Sequence, residues 1–316
     1  GDTTTVNIGG TLSISGGILT TPTLLLDGGT FTAPDLSGIN TLQFNSGTLN
    51  LTGPSGLTVG PGGPLGSLVL DAGDVLTVDN TTTIASGGKI AVDGTFSSEL
   101  LTIESGGQFD VPSGYTNHDE ILLADSDARI TGSVLTNRGL LRGSGRILAV
   151  VDNNTDGGIE VTDGELDFIS DLSNKNQISV INGTLRVQGE ITNASSTGFI
   201  AGENATFRFS GGFTNNGAVA LSFGTSRVFG DIDNDGGTIT VSGASNVTFY
   251  DDVVNEGTIH VSAGTNAVYF GAVSGSGSFS GSGTNFFEGD LAPGSSSGMM
   301  SFGGDVVLGP LSTTMI

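Results

Sequence analysis

The 316-residue chain contains no cysteine and no tryptophan, only three tyrosines, and nine Lys and Arg against 32 Asp and Glu. Without cysteine there are no disulfides and no thiolate metal sites, an absence that leaves cytosol and exterior equally open. The net charge of −23 leaves little room for a basic patch, and the densest basic group is Arg138, Arg142 and Arg146. Three cations are too few to neutralise a phosphate backbone, so no nucleic-acid partner is expected and anionic membrane surfaces are poor partners. No apolar run reaches the roughly 18 residues of a spanning helix, so no membrane insertion is expected in this segment. The opening GDTTTVNIGG lacks the basic start and apolar core of a signal peptide, and the chain is expected to be a fragment or processed part of a longer one. Few Trp and Tyr also means few of the rings from which sugar and base platforms are commonly made.

What the chain has is glycine, 54 residues of it, placed on a beat. Glycines 10, 29, 47, 66, 88 and 107 each precede an alternating apolar pair, such as Phe31 and Ala33 or Leu68 and Leu70. The beat returns at glycines 139, 158, 198, 217, 237, 257, 277 and 298, with Asp119 and Asn176 standing in between, in steps of 18 to 22 residues apart from the 12 between Gly107 and Asp119. Short alternating strands broken by Gly, Asn, Asp and Ser at this period predict a solenoid in which each repeat is one coil. The fold class expected is all-β: a single right-handed parallel β-helix over 1–316, about 20 residues per coil and roughly sixteen coils.

One repeat, Asn176 to Asn193, divides into three strands with Ile178 and Val180, Leu185 and Val187, and Ile191 on the interior side. The same scheme puts Ile239, Val241, Val247, Phe249 and Val253 inside, then Ile259, Val261, Val268, Phe270 and Val273. The softest stretch is Gly53 to Gly66, whose three prolines predict an external loop. Before the glycine an apolar residue, a spacer and an asparagine recur, at Asn117, Asn137, Asn153, Asn174, Asn193, Asn215, Asn234 and Asn255. Stacked asparagines tolerate a left-handed backbone and can pair amides between coils, which predicts a structural corner ladder.

Motifs for chemistry are sparse. GSSSG around Ser296 has nucleophile-elbow spacing, but both histidines, His118 and His260, lie upstream of it. Lys89 lacks the context of a phosphate loop, and His118 beside Asp119 and Glu120 reads as a solvated turn. Two stretches follow D-x-[DN]-x-[DN]-G: Asp152, Asn154 and Asp156, with Asp163 at the twelfth position, and Asp231, Asp233 and Asp235, with Ser242 there. They are candidate calcium ligands, although neither is flanked by helical sequence as an EF-hand requires. No other cofactor is expected. Around the first loop, Asp163, Glu165 and Asp167 share parity and are expected to face outward. At about 6.6–7 Å between alternate residues they approach the roughly 6.5–9.5 Å of an inverting glycosidase pair, the basis of an alternative as a polysaccharide hydrolase or lyase.

The NxG corners, the GTLxV strands and the segment GDLAPGSSSGMMSFGGDVVLGP, Gly289 to Pro310, resemble β-helical passenger regions of bacterial autotransporters and related secreted repeat proteins with a C-terminal sorting anchor. That segment is similar to their G-x-LAPG-x-SPG-x-L-x-x-x-G-D motif, with Ser297 in place of proline and Met300 at the aliphatic position. The resemblance implies secreted repeat architecture at the exterior or cell surface; with the stiffness of stacked coils, the expectation is a non-enzymatic structural or adhesive rod of a bacterial surface fibre, sheath or passenger stalk. The partners it implies are flanking coils or further copies joined end to end, together with cell-surface glycans or proteins.

Overall fold

The computed structural model describes residues 2–294, 299–310 and 312–314. Among them there is no helix; parallel strands stack as a β-solenoid of about 15 turns with roughly 20 residues per turn. Contacts divide the chain into two compact units, Gly1–Ala149 and Val150–Ile316.

In the first unit many strands are long and bend through bulges. Thr21–Ala33 runs parallel to Ile39–Leu51, with Leu24 beside Leu42 and Phe31 beside Leu49, and the register shifts around Asp27. The apolar stacking then passes from Leu49 to Leu76, and separately from Leu68 through Ile90 and Phe109 to Ile130. Phe96, Phe109 and Tyr115 form one aromatic cluster, with Tyr115 edge-on to Phe109 at 5.2 Å. The Gly53–Gly66 stretch corrects the expectation of a simple external loop. Leu57 and Val59 alternate inward on a strand paired with Thr82 and Ile84, and only the excursion to Leu65 leaves the coil, closed by Gly60 N–H donating to Leu65 O at 2.8 Å.

The second unit is more regular because each coil repeats three short strands in parallel register. The first strands stack Ile159, Ile178, Ile200, Val219, Ile239, Ile259 and Phe279 into one buried column. The second strands stack Leu166, Leu185, Phe207, Val228, Phe249, Tyr269 and Phe287. A third column runs from Val151 through Leu172, Ile191, Phe213, Ile232, Val253 and Val273 to Leu291. Each fully buried side chain of this size contributes about 1.5–3 kcal/mol of transfer free energy, so the columns hold successive coils together without a central layer of another type.

One pair of inward residues differs from the alternation expected. Val268 and Phe270 point outward, whereas Ala267 and Tyr269 are fully buried, because the strand pairs Ala267 with Val247 and Tyr269 with Phe249. A one-residue slip exchanges every side chain between faces, and Tyr269 decides this one. Its ring lies 5.1 Å from Phe249 and 5.0 Å from Phe287, both nearly parallel, and its hydroxyl donates to Asn285 Oδ1 at 3.4 Å. Burial pushes the Tyr269 hydroxyl well above the ordinary tyrosine pKa, so it stays protonated and able to donate.

The corner asparagines form the expected ladder. Asn117 donates to Asn137 in the first unit, at 2.8 Å. In the second unit each Nδ2 donates to the Oδ1 of the next coil's asparagine, from Asn153 through Asn174, Asn193, Asn215 and Asn234 to Asn255, at 2.7–2.8 Å. All six are buried. The Gly289–Pro310 segment continues the solenoid: Leu291–Pro293 joins the third stack, and Ser301–Phe302 and Asp305–Leu308 pair with residues 278–279 and 284–287. Ser296, Ser297 and Gly298 lie outside the described residues, and with them the centre of the elbow motif.

Candidate functional site

The outward side of the second-strand stack in the Val150–Ile316 unit carries a column that the sequence reading did not identify. Asp167 sits beside Arg186, Arg186 beside Arg208, and Arg208 beside Phe229 on successive coils. The Arg208 guanidinium carbon lies 4.5 Å from the centre of the Phe229 ring. Phe229 stacks on Tyr250 at 4.3 Å and Tyr250 on Phe270 at 5.6 Å, with planes within 14° of parallel. The coil spacing of about 4.8 Å is close to the distance at which aromatic faces stack and cations attract ring faces. Parallel pairing alone therefore generates the array once such residues occupy one outward position. Tyr250 is 36% and Phe270 52% exposed, so apolar surface here faces solvent.

Beside this column runs a groove of about 830 Å³ lined by Glu165, Arg186, Arg208, Phe229, Asp231 and Asp251. Gly211, Gly212 and Gly230 also line it, and of these only Gly212 would carry a Cβ into open space. A second depression of about 410 Å³ shares Gly211, Gly212 and Asp231 with it and reaches Glu190, Asp233 and Asp252. Several groups are fixed in place: Asp251 Oδ2 accepts from Gly230 N–H at 2.7 Å, and Asp231 Oδ1 from Asp252 N–H at 3.3 Å. With Trp absent and Tyr scarce, phenylalanine supplies two of the three stacked rings, the half-buried Phe229 and the exposed Phe270.

The acidic face expected of Asp163, Glu165 and Asp167 does not form as one surface. Asp163 stands in the turn before the strand Glu165–Phe168, at φ +54°, where strand alternation does not govern its direction. Asp167 is only 7% exposed, accepts from Gln188 Nε2 at 3.0 and 3.2 Å, and lies 3.8 Å from Arg186 Nε. Of the three, Glu165 lines the groove.

The candidate calcium ligands are partly committed elsewhere. In the first loop Lys175 Nζ binds both Asp152 oxygens, at 2.8 and 2.9 Å, and Asn154 Oδ1 accepts from Thr155 N–H. In the second, the Asp233 carboxyl is held above the ordinary aspartate pKa, by partial burial first and then by the charges of Asp235 and Glu256. Among the described residues no group of three or more His, Cys, Asp or Glu is arranged to hold a metal ion. A raised folded-state pKa means that ionised Asp233 opposes folding. The penalty is absent below the unfolded pKa and grows as pH rises through the folded one. Asp233→Asn is therefore expected to raise the melting temperature slightly at pH 7 and leave it unchanged near pH 3. Millimolar calcium, if these carboxylates hold it, raises the wild-type melting temperature more than that of the variant; scanning calorimetry reads both.

Compared with known proteins, the chain matches no protein-family model and no curated protein.

Proposed function

We propose that the chain is a structural or adhesive segment of a bacterial surface fibre, sheath or stalk, exposed outside the cell. The observation that carries this reading is the unbroken amide ladder from Asn153 to Asn255, flanked by three apolar columns in continuous parallel register. Such a lattice resists local opening, because displacing one strand breaks backbone pairing and side-chain stacking with both neighbouring coils. That is what a load-bearing spacer requires. The terminal motif, with its resemblance to secreted repeat proteins, supports the placement at the cell surface.

An exposed apolar strand supports the same role. The strand Asp305–Leu308 pairs with Thr284–Phe287 and leaves Val306, Val307 and Leu308 40–50% exposed, an apolar surface that a flanking coil or a second copy would cover. Electron microscopy of the purified chain should show rods that join into longer filaments, and light scattering should show their growth with concentration. Val307→Lys is expected to suppress that growth without changing the circular dichroism spectrum. Globular particles, or association indifferent to Val307→Lys, would refute the respective halves of the proposal.

A second reading, a polysaccharide-active enzyme, is favoured by one observation, the presence of Glu165, Asp231 and Asp251 around a single groove. A screen of acidic and neutral polysaccharides for cleavage tests it, with Glu165→Gln as the control that locates any activity found.

A further inference from the structure

We propose that the groove beside Arg208 and Phe229 is a binding site for a neutral glycan chain. The proposal deepens the adhesive part of the function above and rests on it.

The ligand class follows from which groups the groove offers. Arg208 is the central donor. Among the described residues no carboxylate lies within ion-pair distance of it, and its guanidinium is instead held against the Phe229 ring. Arginine has five N–H donors in a planar fork, and a ring beneath the plane fixes the fork while leaving its edge free to donate. The Phe229 ring is fixed in turn by Tyr250 on its other side. On the preceding coil Arg186 lies 3.8 Å from Asp167, so two guanidinium groups stand in register along the groove.

The acceptors are Glu165, Asp231 and Asp251. A polyanionic ligand would bring its charges against these carboxylates in a protein of net charge −23, and like-charge juxtaposition disfavours binding. A cationic ligand would meet the two arginines. A neutral polyol meets neither penalty. Its hydroxyls accept from the guanidinium edges and donate to the carboxylates, while its C–H groups lie against the half-buried Phe229 ring, which lines the groove and is backed by Tyr250. Ligand sites of this kind join apolar surface to a few well-placed polar groups. The donors, acceptors and rings recur at the coil spacing, which suits an extended chain that makes similar contacts on successive coils rather than a single small sugar.

Isothermal titration of the full 316-residue chain with cellohexaose, mannohexaose, maltohexaose and xylohexaose tests the proposal, with polygalacturonate as the charged comparison. At least one neutral hexasaccharide is expected to bind with an affinity that changes little between low and physiological salt. Arg208→Gln should weaken that binding by about tenfold or more, and Glu165→Gln, at an exposed position, should weaken it less. Lys89→Gln, which removes a surface ion pair in the other unit, should leave it unchanged. Circular dichroism melts confirm that each variant is folded. Binding of polygalacturonate alone, no binding of any neutral hexasaccharide, or equal binding by folded Arg208→Gln would each overturn the site. Rods without glycan binding would reject this site and leave the structural reading standing. Glycan binding by particles that are not rods would do the reverse.

Discussion

Asn215→Asp is expected to destabilise the Val150–Ile316 unit by about 3–5 kcal/mol at pH 7, the cost of leaving a buried charge without its partner, and by far less at pH 3. The Asn215 side chain is fully buried, accepts from Asn193 Nδ2 at 2.8 Å and donates to Asn234 Oδ1 at 2.7 Å. Aspartate keeps the shape and the first bond, but it sets a carboxylate oxygen against the Asn234 carbonyl. The ladder cannot relieve this by reversing its amides, because their direction is fixed by backbone bonds. Asn234 Nδ2 also donates to Thr258 O at 3.4 Å, Asn255 Nδ2 to Ser278 O at 3.3 Å, and Asn255 Oδ1 accepts from Gly257 N–H at 3.3 Å. Reversal would strand each of these groups. The Asn215→Asp carboxyl therefore titrates above its unfolded value of about 3.9. Its neutral form, which can donate to Asn234, preserves stability below that value, and the stability is lost as pH rises through the folded pKa. Asn215→Leu is the control. It leaves one donor and one acceptor unsatisfied, about 1–3 kcal/mol each, at every pH. Melts of both variants against wild type from pH 3 to pH 8 separate the two, with hydrogen exchange over residues 193–255 as a local readout because solenoids need not unfold in one step. An Asn215→Asp deficit that does not change with pH would show that the ladder does not exclude water.

The sequence made the stacking legible where one coil's pattern suffices. Ile178, Val180, Leu185, Val187 and Ile191 all lie inside as their alternation requires, and the eight corner asparagines announce the ladder by recurrence. What stayed hidden depends on register between coils. Val268 and Phe270 are as apolar as Ala267 and Tyr269, and only the pairing with Val247 and Phe249 decides which pair is buried. The candidate site was hidden for the same reason. Arg186, Arg208, Phe229, Tyr250 and Phe270 are about one coil apart in sequence, at no constant spacing, and read singly each is an ordinary surface residue. Parallel pairing makes them a column, of which Arg186, Arg208 and Phe229 line a groove together with Glu165, Asp231 and Asp251. The Asp163, Glu165 and Asp167 face failed in the opposite sense. Parity was carried across a turn in which Asp163 leaves the strand conformation.

The beat glycine itself is needed for closeness rather than for a left-handed corner, and Gly257→Ala should show this with a loss comparable to that of the ladder variant. Gly198, Gly217, Gly237 and Gly257 follow the corner asparagines, Gly277 follows Gly275 at the same corner, and none of the five has a positive φ, the feature that would explain glycine at a turn. They lie instead one above another against the ladder. A Cβ at Gly257 would fall inside van der Waals contact with Gly237 O, and it would also meet Asn234 Nδ2 at 2.8 Å. At Gly277 it would meet Gly257 O at 2.5 Å and Asn255 O at 2.6 Å. A carbonyl oxygen in a parallel ladder has no rotamer through which to move, so the methyl group can be accommodated only by separating two coils. That lengthens the Asn234 to Asn255 amide bond, now 2.8 Å, and the backbone bond from Thr258 N–H to Gly237 O, now 2.9 Å. Overpacking of a close-packed interior typically costs about 1–3 kcal/mol, and stretching two buried hydrogen bonds adds to it. Ala263→Gly, in the turn of the same coil, removes a methyl group from an exposed position and provides the control for backbone entropy, with an expected cost of no more than about 1 kcal/mol. Denaturant melts read the difference between the two. If Gly257→Ala proved as mild as Ala263→Gly, the coils would have slack along the ladder, and the glycine beat would need another explanation than contact between neighbouring backbones.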